Sequence, residues 1–376
     1  MNNSLGCLVR SVMNKNYRER GMKMTDNKEF IGYVGTYTKE NSEGIYTFTL
    51  NTEAQKVSNV TLAAKLDNPT YVTISKSNQY LYSVVKEGEA GGVAVYSINS
   101  HTGELEEQNR QVVEGASPCH ISVDSGNQTV VTANYHKGTI ESFEVDEENG
   151  TVNPASSIMA HEGSGPNKER QEKPHAHYAG YTPDEKYVVG VDLGIDKIIT
   201  YGIKDSTLKE VNSLSVNPGS GPRHITFHPD GKYAYVMTEL SSEVIVLTYY
   251  PEEGSFTELQ YISTVPEEFD GNSQGSAIHI SSDGRFVYVA NRGHNSIAVF
   301  SVDQNSGQLT FVEHTSTEGN WPRDFVLDPT GKFLIAINEK SHNLVLFSRN
   351  ETTGKLILLQ SDVVVPEPVC VKFLNV

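Results

Sequence analysis

Apolar and polar positions alternate along most of the chain in short runs, and clusters of Asn, Asp, Gly and Ser break the runs. A period of two predicts half-buried strands joined by tight turns. One unit recurs: a Pro or small residue, an apolar strand, a turn around Asp-Gly, and a second strand. GPRHITFHPDGKYAYVMTE, from Gly221 to Glu239, is its cleanest copy, and others begin at Asn68, Ser117, Lys173, Ser276 and Asn320. With Pro69, Pro118, Pro174, Pro222, Ala277, Pro322 and Pro368 as markers, the intervals are 49, 56, 48, 55, 45 and 46 residues. A strand-filled period of about 50 residues predicts a β-propeller.

A second turn signal, hairpin chemistry between a third and a fourth strand, starts at Asn51, Asn99, Asp146, Lys204, Pro251, Asp303 and Asn350. It occurs seven times, against six complete Asp-Gly units. The ends of the chain supply the difference. Phe30 to Thr38 and Gly44 to Leu50 read as second and third strands without a first, and Pro366 to Val376 as a first strand without followers. The expected fold is therefore all-β: a seven-bladed propeller of four-stranded antiparallel blades, closed by the C-terminal strand joining the N-terminal strands. Such closure removes open sheet edges. Residues 28–376 are expected to form this single domain, the repeat overriding the larger domain count that length suggests. Residues 1–27 lie outside the repeat and read as a disordered leader or an over-long start, too short in apolar run for a signal peptide or a span.

A net charge of -17 excludes nucleic acid and anionic membrane as partners, since either would be repelled over most of the surface. The same acidity makes arginines that recur at one place in the repeat informative. Cys7, Cys119 and Cys370 cannot all pair and show no metal-ligand spacing, which favours a reducing, cytoplasmic setting. The closed ring is compatible with a monomer or weak oligomer.

In a propeller blade the innermost strand lines the channel and the next runs antiparallel to it, so residues before the first strand and after the second meet at one channel mouth. Before the first strand stand Thr70, Cys119 or His120, His177, Arg223, Ser276 and Arg323; after the second stand Lys86, Tyr135, Leu193, Glu239, Arg292, Glu339 and Thr36. His177, Arg223, Glu239 and Arg292 thus unite an imidazole, a carboxylate and two guanidiniums, a set suited to proton transfer beside an anionic substrate and to oxyanion stabilisation. Each residue also has a structural reading. His120, His224, His228 and His279 recur at strand positions and read as core histidines; Arg323 and Glu339 could simply pair across a blade boundary; His175 could line the mouth or only shape its loop. Asp192, Asn291 and Glu239 could offer oxygens to calcium, but two arginines would compete with the cation, so no metal and no cofactor is expected. No nucleophile elbow, zinc motif or phosphate-binding glycine loop is present, and GSGP at Gly163 and Gly219 reads as loop punctuation.

YVGTYT at Tyr33, KPHAHYAGYTPD at Lys173, GPRHITFHPDGKYAYVMTEL at Gly221, IHISSDGRFVYVANR at Ile278 and NWPRDFVLDPTGKFLIAINEKSHN at Asn320 carry a resemblance. Over essentially all of the chain from about Phe30 onward it resembles the seven-bladed propeller lactonase family, of the 6-phosphogluconolactonase type. The resemblance implies cytoplasmic, cofactor-free hydrolysis of a small anionic sugar lactone, 6-phosphogluconolactone, in the pentose phosphate pathway. A fungal member, the carboxy-muconate lactonizing enzyme, has a catalytic His, Arg, Glu and Arg that fall on His177, Arg223, Glu239 and Arg292. The arginines would hold the lactone carbonyl and anionic groups, while His177 or Glu239 activates water and the other protonates the leaving oxygen. Lys86, Arg323 and His175, with Glu339 beside them, are the candidate residues for the sugar phosphate. Two further readings share these residues: a lactonase or lactonizing enzyme for another carboxylated ring, and a non-catalytic binding propeller.

Overall fold

The recurring unit becomes one antiparallel sheet of four strands, formed seven times, in a computed structural model that describes residues 28–376. The leader expected at residues 1–27 lies outside the described residues. In the fifth blade the strands are Pro222–Phe227, Tyr233–Thr238, Glu243–Tyr250 and Ser255–Ser263, in that order from the inside outward. The turn between the first two needs a left-handed residue. Gly231, Gly284 and Gly331 supply it at φ near 70° in the fifth, sixth and seventh blades, while Asn78, Asn127 and Glu185 adopt it at the same step of earlier copies.

Burial follows position in the blade. Second strands such as Thr129–Asn134 are buried at every residue because neighbouring blades cover both faces. Outermost strands such as Thr207–Ser215 expose most of their residues. The apolar core is accordingly divided into clusters at the blade junctions. Val189, Ile198, Val236 and Ile245 fill the wedge between fourth and fifth blades. Phe30, Phe48, Ile335 and Leu346 fill that between first and seventh. Each wedge removes apolar surface of two sheets from water, so no blade is stable alone.

Ring closure follows the expected route. Pro368–Phe373 pairs with Glu29–Thr36, Tyr33 opposite Lys372 and Val34 opposite Val371. The loop that follows is tied to the same junction: the Glu367 carboxylate accepts the backbone N–H groups of Lys39, Glu40, Asn41 and Ser42 at 3.0–3.3 Å. Among the described residues no helix is long and apolar enough to cross a membrane.

Candidate active site

At the mouth the repeat inserts one extra residue into the inner strand. Pro222 pairs with Thr238 and His224 with Met237, leaving Arg223 without a cross-strand partner. The same irregularity leaves His177 unpaired in the fourth blade and Arg323 in the seventh. A bulge bends the strand and re-aims the extra side chain, and here it delivers two arginines and a histidine to one place.

Register also settles two steps of the repeat alignment. His120 pairs with Ala133, so Cys119 holds the equivalent of Arg223. In the first blade Thr36 pairs with Pro368 and donates its hydroxyl to Gly44 O at 2.7 Å, as Thr238 does to Glu243 O at 3.1 Å. The residue equivalent to Glu239 is Tyr37, whose N–H reaches Glu367 O as that of Glu239 reaches Gly221 O. The expected Thr36 is therefore corrected to Tyr37. The bulge after Pro368 is the one found in the other blades, so Gly35 and Thr36 stand where Met237 and Thr238 stand in the fifth, and the offset comes from aligning the first blade's second strand one residue early.

All seven blades contribute to the wall of a cavity of about 830 Å³, including Tyr37, Lys86, Cys119, His177, Glu239, Arg292 and Arg323. Glu239 is its electrostatic centre. Its Oε2 accepts Arg223 Nε at 3.0 Å and an Arg292 terminal nitrogen at 2.6 Å, and its Oε1 accepts Arg170. Burial alone would push the Glu239 carboxyl up; Arg292 and Arg223, then His177 and Arg170, outweigh it and hold the group well below the ordinary carboxylate range. The inner arginines are fixed by backbone carbonyls, Arg223 by Ser276 O, and Arg292 by Gln274 O at 3.3 Å and Gly275 O at 2.8 Å.

His177 is buried beside this group, its Nδ1 3.9 Å from Cys119 Sγ and its ring edge-on to Tyr135. Burial and the Arg223 charge push its pKa well below the usual imidazole range, so it is neutral at pH 7. Burial pushes the Cys119 thiol up to about 12, leaving it protonated. Beneath the mouth His120, His224, Tyr71 and Tyr178 pack against one another across the channel, His120 between the two tyrosines at 4.2 and 4.4 Å. These rings form a floor, and His224 turns Nε2 toward Arg223 at 3.3 Å.

The four principal candidates are thus brought together, and the four secondary ones divide. Lys86 and Arg323 line the cavity. His175 does not: it stacks on Tyr135 at 4.2 Å, Nδ1 lies 2.9 Å from Tyr135 O, and Nε2 faces Glu172 at 3.1 Å. Glu339 stands behind Arg323 at 3.8 Å, within the seventh blade and not across a blade boundary. The oxygens considered for calcium are engaged by protein donors. Asp192 accepts His175 N and Gly194 N at 2.8 Å and faces His161 at 2.6 Å, and Asn291 bonds with Thr264. His120, His224 and His228 are buried as expected, whereas the His279 side chain is 30% exposed.

Repeat alignment missed Arg170, because it lies in the connection from Ala160 to Ala176, outside the repeated unit. The available signal was the 56-residue interval, which marks an insertion there, with Lys168, Arg170 and Lys173 inside it.

The family model for the seven-bladed β-propeller lactonases matches residues 31–373. The chain is 61% identical over 347 residues to the 6-phosphogluconolactonase of Bacillus subtilis, covering 92% of this chain and 99% of that protein. Among solved structures, a Lactobacillus plantarum protein superposes with a TM-score of 0.89 at 42% identity, covering 92% of this chain and 100% of that one. The periplasmic gluconolactonase of Pseudomonas aeruginosa gives 0.87 at 31% identity, covering 93% and 99%. A match over this length, on a ring whose mouth gathers the residues described, leaves one assignment: the chain belongs to the seven-bladed β-propeller lactonase family.

Proposed function

We propose that this protein hydrolyses the ring ester of 6-phosphogluconolactone to 6-phosphogluconate, as a carboxylic ester hydrolase that uses no cofactor. One observation carries the reading: a neutral imidazole, His177, beside a buried carboxylate that gathers three arginines, in the cavity of a lactonase propeller. The lactone carbonyl faces Arg223 and Arg292. Water attacks the carbonyl carbon as His177 takes its proton, and the carbonyl oxygen becomes an oxyanion held by the guanidiniums. Collapse breaks the bond to the ring oxygen, which receives the proton from His177 and leaves as a hydroxyl. Glu239 is a poor base among its arginines; it holds them in place and offsets the charge of the imidazolium. The negative charge of substrate and oxyanion raises the proton affinity of His177 as attack begins.

Lys86 and Arg323 are the proposed phosphate ligands, with Lys39 at the same rim, since a dianion calls for more than one cation. Lys86 belongs to the second blade and stands across the ring from Glu239 of the fifth. We place the reaction in the cytoplasm, in the pentose phosphate pathway, on the odd cysteine count and the B. subtilis relative. The periplasmic name of the P. aeruginosa relative means that the fold itself does not dictate compartment.

The test is hydrolysis of freshly generated 6-phosphogluconolactone, coupled to 6-phosphogluconate dehydrogenase, with chelator present and the spontaneous rate subtracted. Gluconolactone is the comparison substrate. The expected result is activity that survives chelator and falls roughly 10²-fold or more in folded His177→Ala and Arg223→Ala. Equal turnover by parent and both variants would remove this site from the reaction. A parent active only on gluconolactone would reassign the substrate.

A further inference from the structure

The three arginines around Glu239 are not equivalent. Arg223 and Arg292 have side chains 4% and 5% exposed and are pinned by backbone carbonyls on the sixth blade. Arg170 is 31% exposed, lies in the cavity wall, and reaches Glu239 Oε1 with no backbone carbonyl among the described residues to hold it. The Tyr135 hydroxyl is a further neighbour.

Its loop is nevertheless built to present it. Gln171, the next residue, is wholly buried: its side-chain amide donates to Leu193 O at 2.8 Å and accepts Asn167 N at 3.2 Å. Its carbonyl accepts Gly165 N at 2.9 Å, and a Cβ on Gly165 would come within 2.5 Å of the Gln171 side chain. Asn167 Oδ1 caps the N–H groups of Glu169 and Arg170. A loop anchored this closely, carrying one partly exposed guanidinium into the cavity, places a charge where a ligand arrives.

Charge balance indicates what that ligand is. Three guanidiniums meet one carboxylate, so two positive charges at Glu239 are uncompensated, and His177 beside them is neutral. An entering anion competes with Glu239 for these donors, and Arg170 is the one free to exchange. We propose that Arg170 is a substrate-contacting residue: its guanidinium leaves Glu239 Oε1 for an anionic oxygen of the bound sugar acid or lactone, which uncovers that carboxylate oxygen. The identity of the ligand as a sugar acid or lactone rests on the lactonase reading, whereas the exchange of Arg170 onto an anion is tested with inorganic phosphate independently of it.

The competing role for Arg170 is structural, as a counter-charge that merely neutralises Glu239. A double-mutant cycle separates the two. Parent, Arg170→Gln, Glu239→Gln and the double variant are titrated calorimetrically with 6-phosphogluconate and, in parallel, with inorganic phosphate. Losing a charge-assisted contact is expected to weaken binding about tenfold or more in Arg170→Gln. In the Glu239→Gln background, where no carboxylate competes, the Arg170 effect is expected to be at least as large, and Arg170→Lys to retain part of the affinity. An Arg170 effect that vanishes once Glu239 is neutral would overturn the exchange, as would binding of neither anion by the parent. If 6-phosphogluconate binds no better than phosphate, the lactonase reading suffers, and the phosphate arm still decides the role of Arg170. Should Glu239→Gln fail to fold, the Arg170 guanidinium resonance, assigned by its loss in Arg170→Gln, is followed as phosphate is added to the parent. A shift is expected; none would overturn the proposal.

Discussion

Three imidazoles, His177 in the cavity wall and His120 and His224 beneath it, form one column, with ring centroids 5.3 Å apart at each His224 contact. Burial lowers the pKa of all three. Arg223 adds to the effect at each, Lys372 at His120 and His224, and Arg323 at His177; Glu239 opposes it at His177 and Asp324 at His120. A histidine kept neutral by the fold binds its proton only on unfolding, so the unfolded state gains protons below its pKa of about 6.5. Stability is therefore full above that pH and falls as pH drops through it, by up to about 4 kcal/mol per pH unit when all three contribute. Denaturant unfolding at pH 7.5 and 5.5 measures this, and His120→Phe should shallow the slope by about one proton's worth. A parent equally stable at both values would mean that the column already holds protons when folded. The four principal candidates, His177, Arg223, Glu239 and Arg292, were legible because they occupy the two positions of the repeated unit that face the mouth. Arg170 was not, since no copy of the unit has an equivalent, and its contact with Glu239 exists only after two blades pack.

Bulges and turns at the ends of strands do most to aim these side chains. The hydrophobic alternation located the inner strands, but it cannot register an extra unpaired residue at the bulge. In the first blade the pairing of Thr36 with Pro368 makes Tyr37 the residue that reaches the cavity. The Lys39–Ser42 loop beside Tyr37 is gathered by the buried Glu367 carboxylate, which accepts four backbone N–H groups. Burial pushes this carboxyl up, but the N–H groups of Glu40, Ser42, Lys39 and Asn41 outweigh it and lower its pKa. Its stabilisation is thus complete at neutral pH and is lost as pH falls below the ordinary glutamate range. Glu367→Ala should cost about 2–3 kcal/mol at pH 7, the worth of hydrogen bonds to a charged acceptor. Its hydrogen exchange should quicken at Lys39 to Ser42. Unchanged protection there would show that the loop is held by something other than this carboxylate.

At the scale of the whole molecule, stability comes from wedges between blades, and the ring has one seam, where the last strand pairs with the first described one. Removing Pro368–Val376 would strip the inner strand from the first blade and expose the edge of Glu29–Thr36, together with the apolar wedges that contain Val371, Phe373 and Leu374. The truncated chain is expected to lose its cooperative thermal transition and to aggregate on size-exclusion chromatography. A parent-like melting curve from a monodisperse sample would show that the seam contributes little. The seven blades, the order of strands within them and the closing strand were determined by the sequence itself, because alternation, turn residues and a repeat are local properties of the chain. The meeting of Arg170 with Glu239 was decided by tertiary structure alone. A contact between residues 69 positions apart depends on how each blade twists, where each bulge falls and how an inserted loop packs back, and none of these is encoded in a local period.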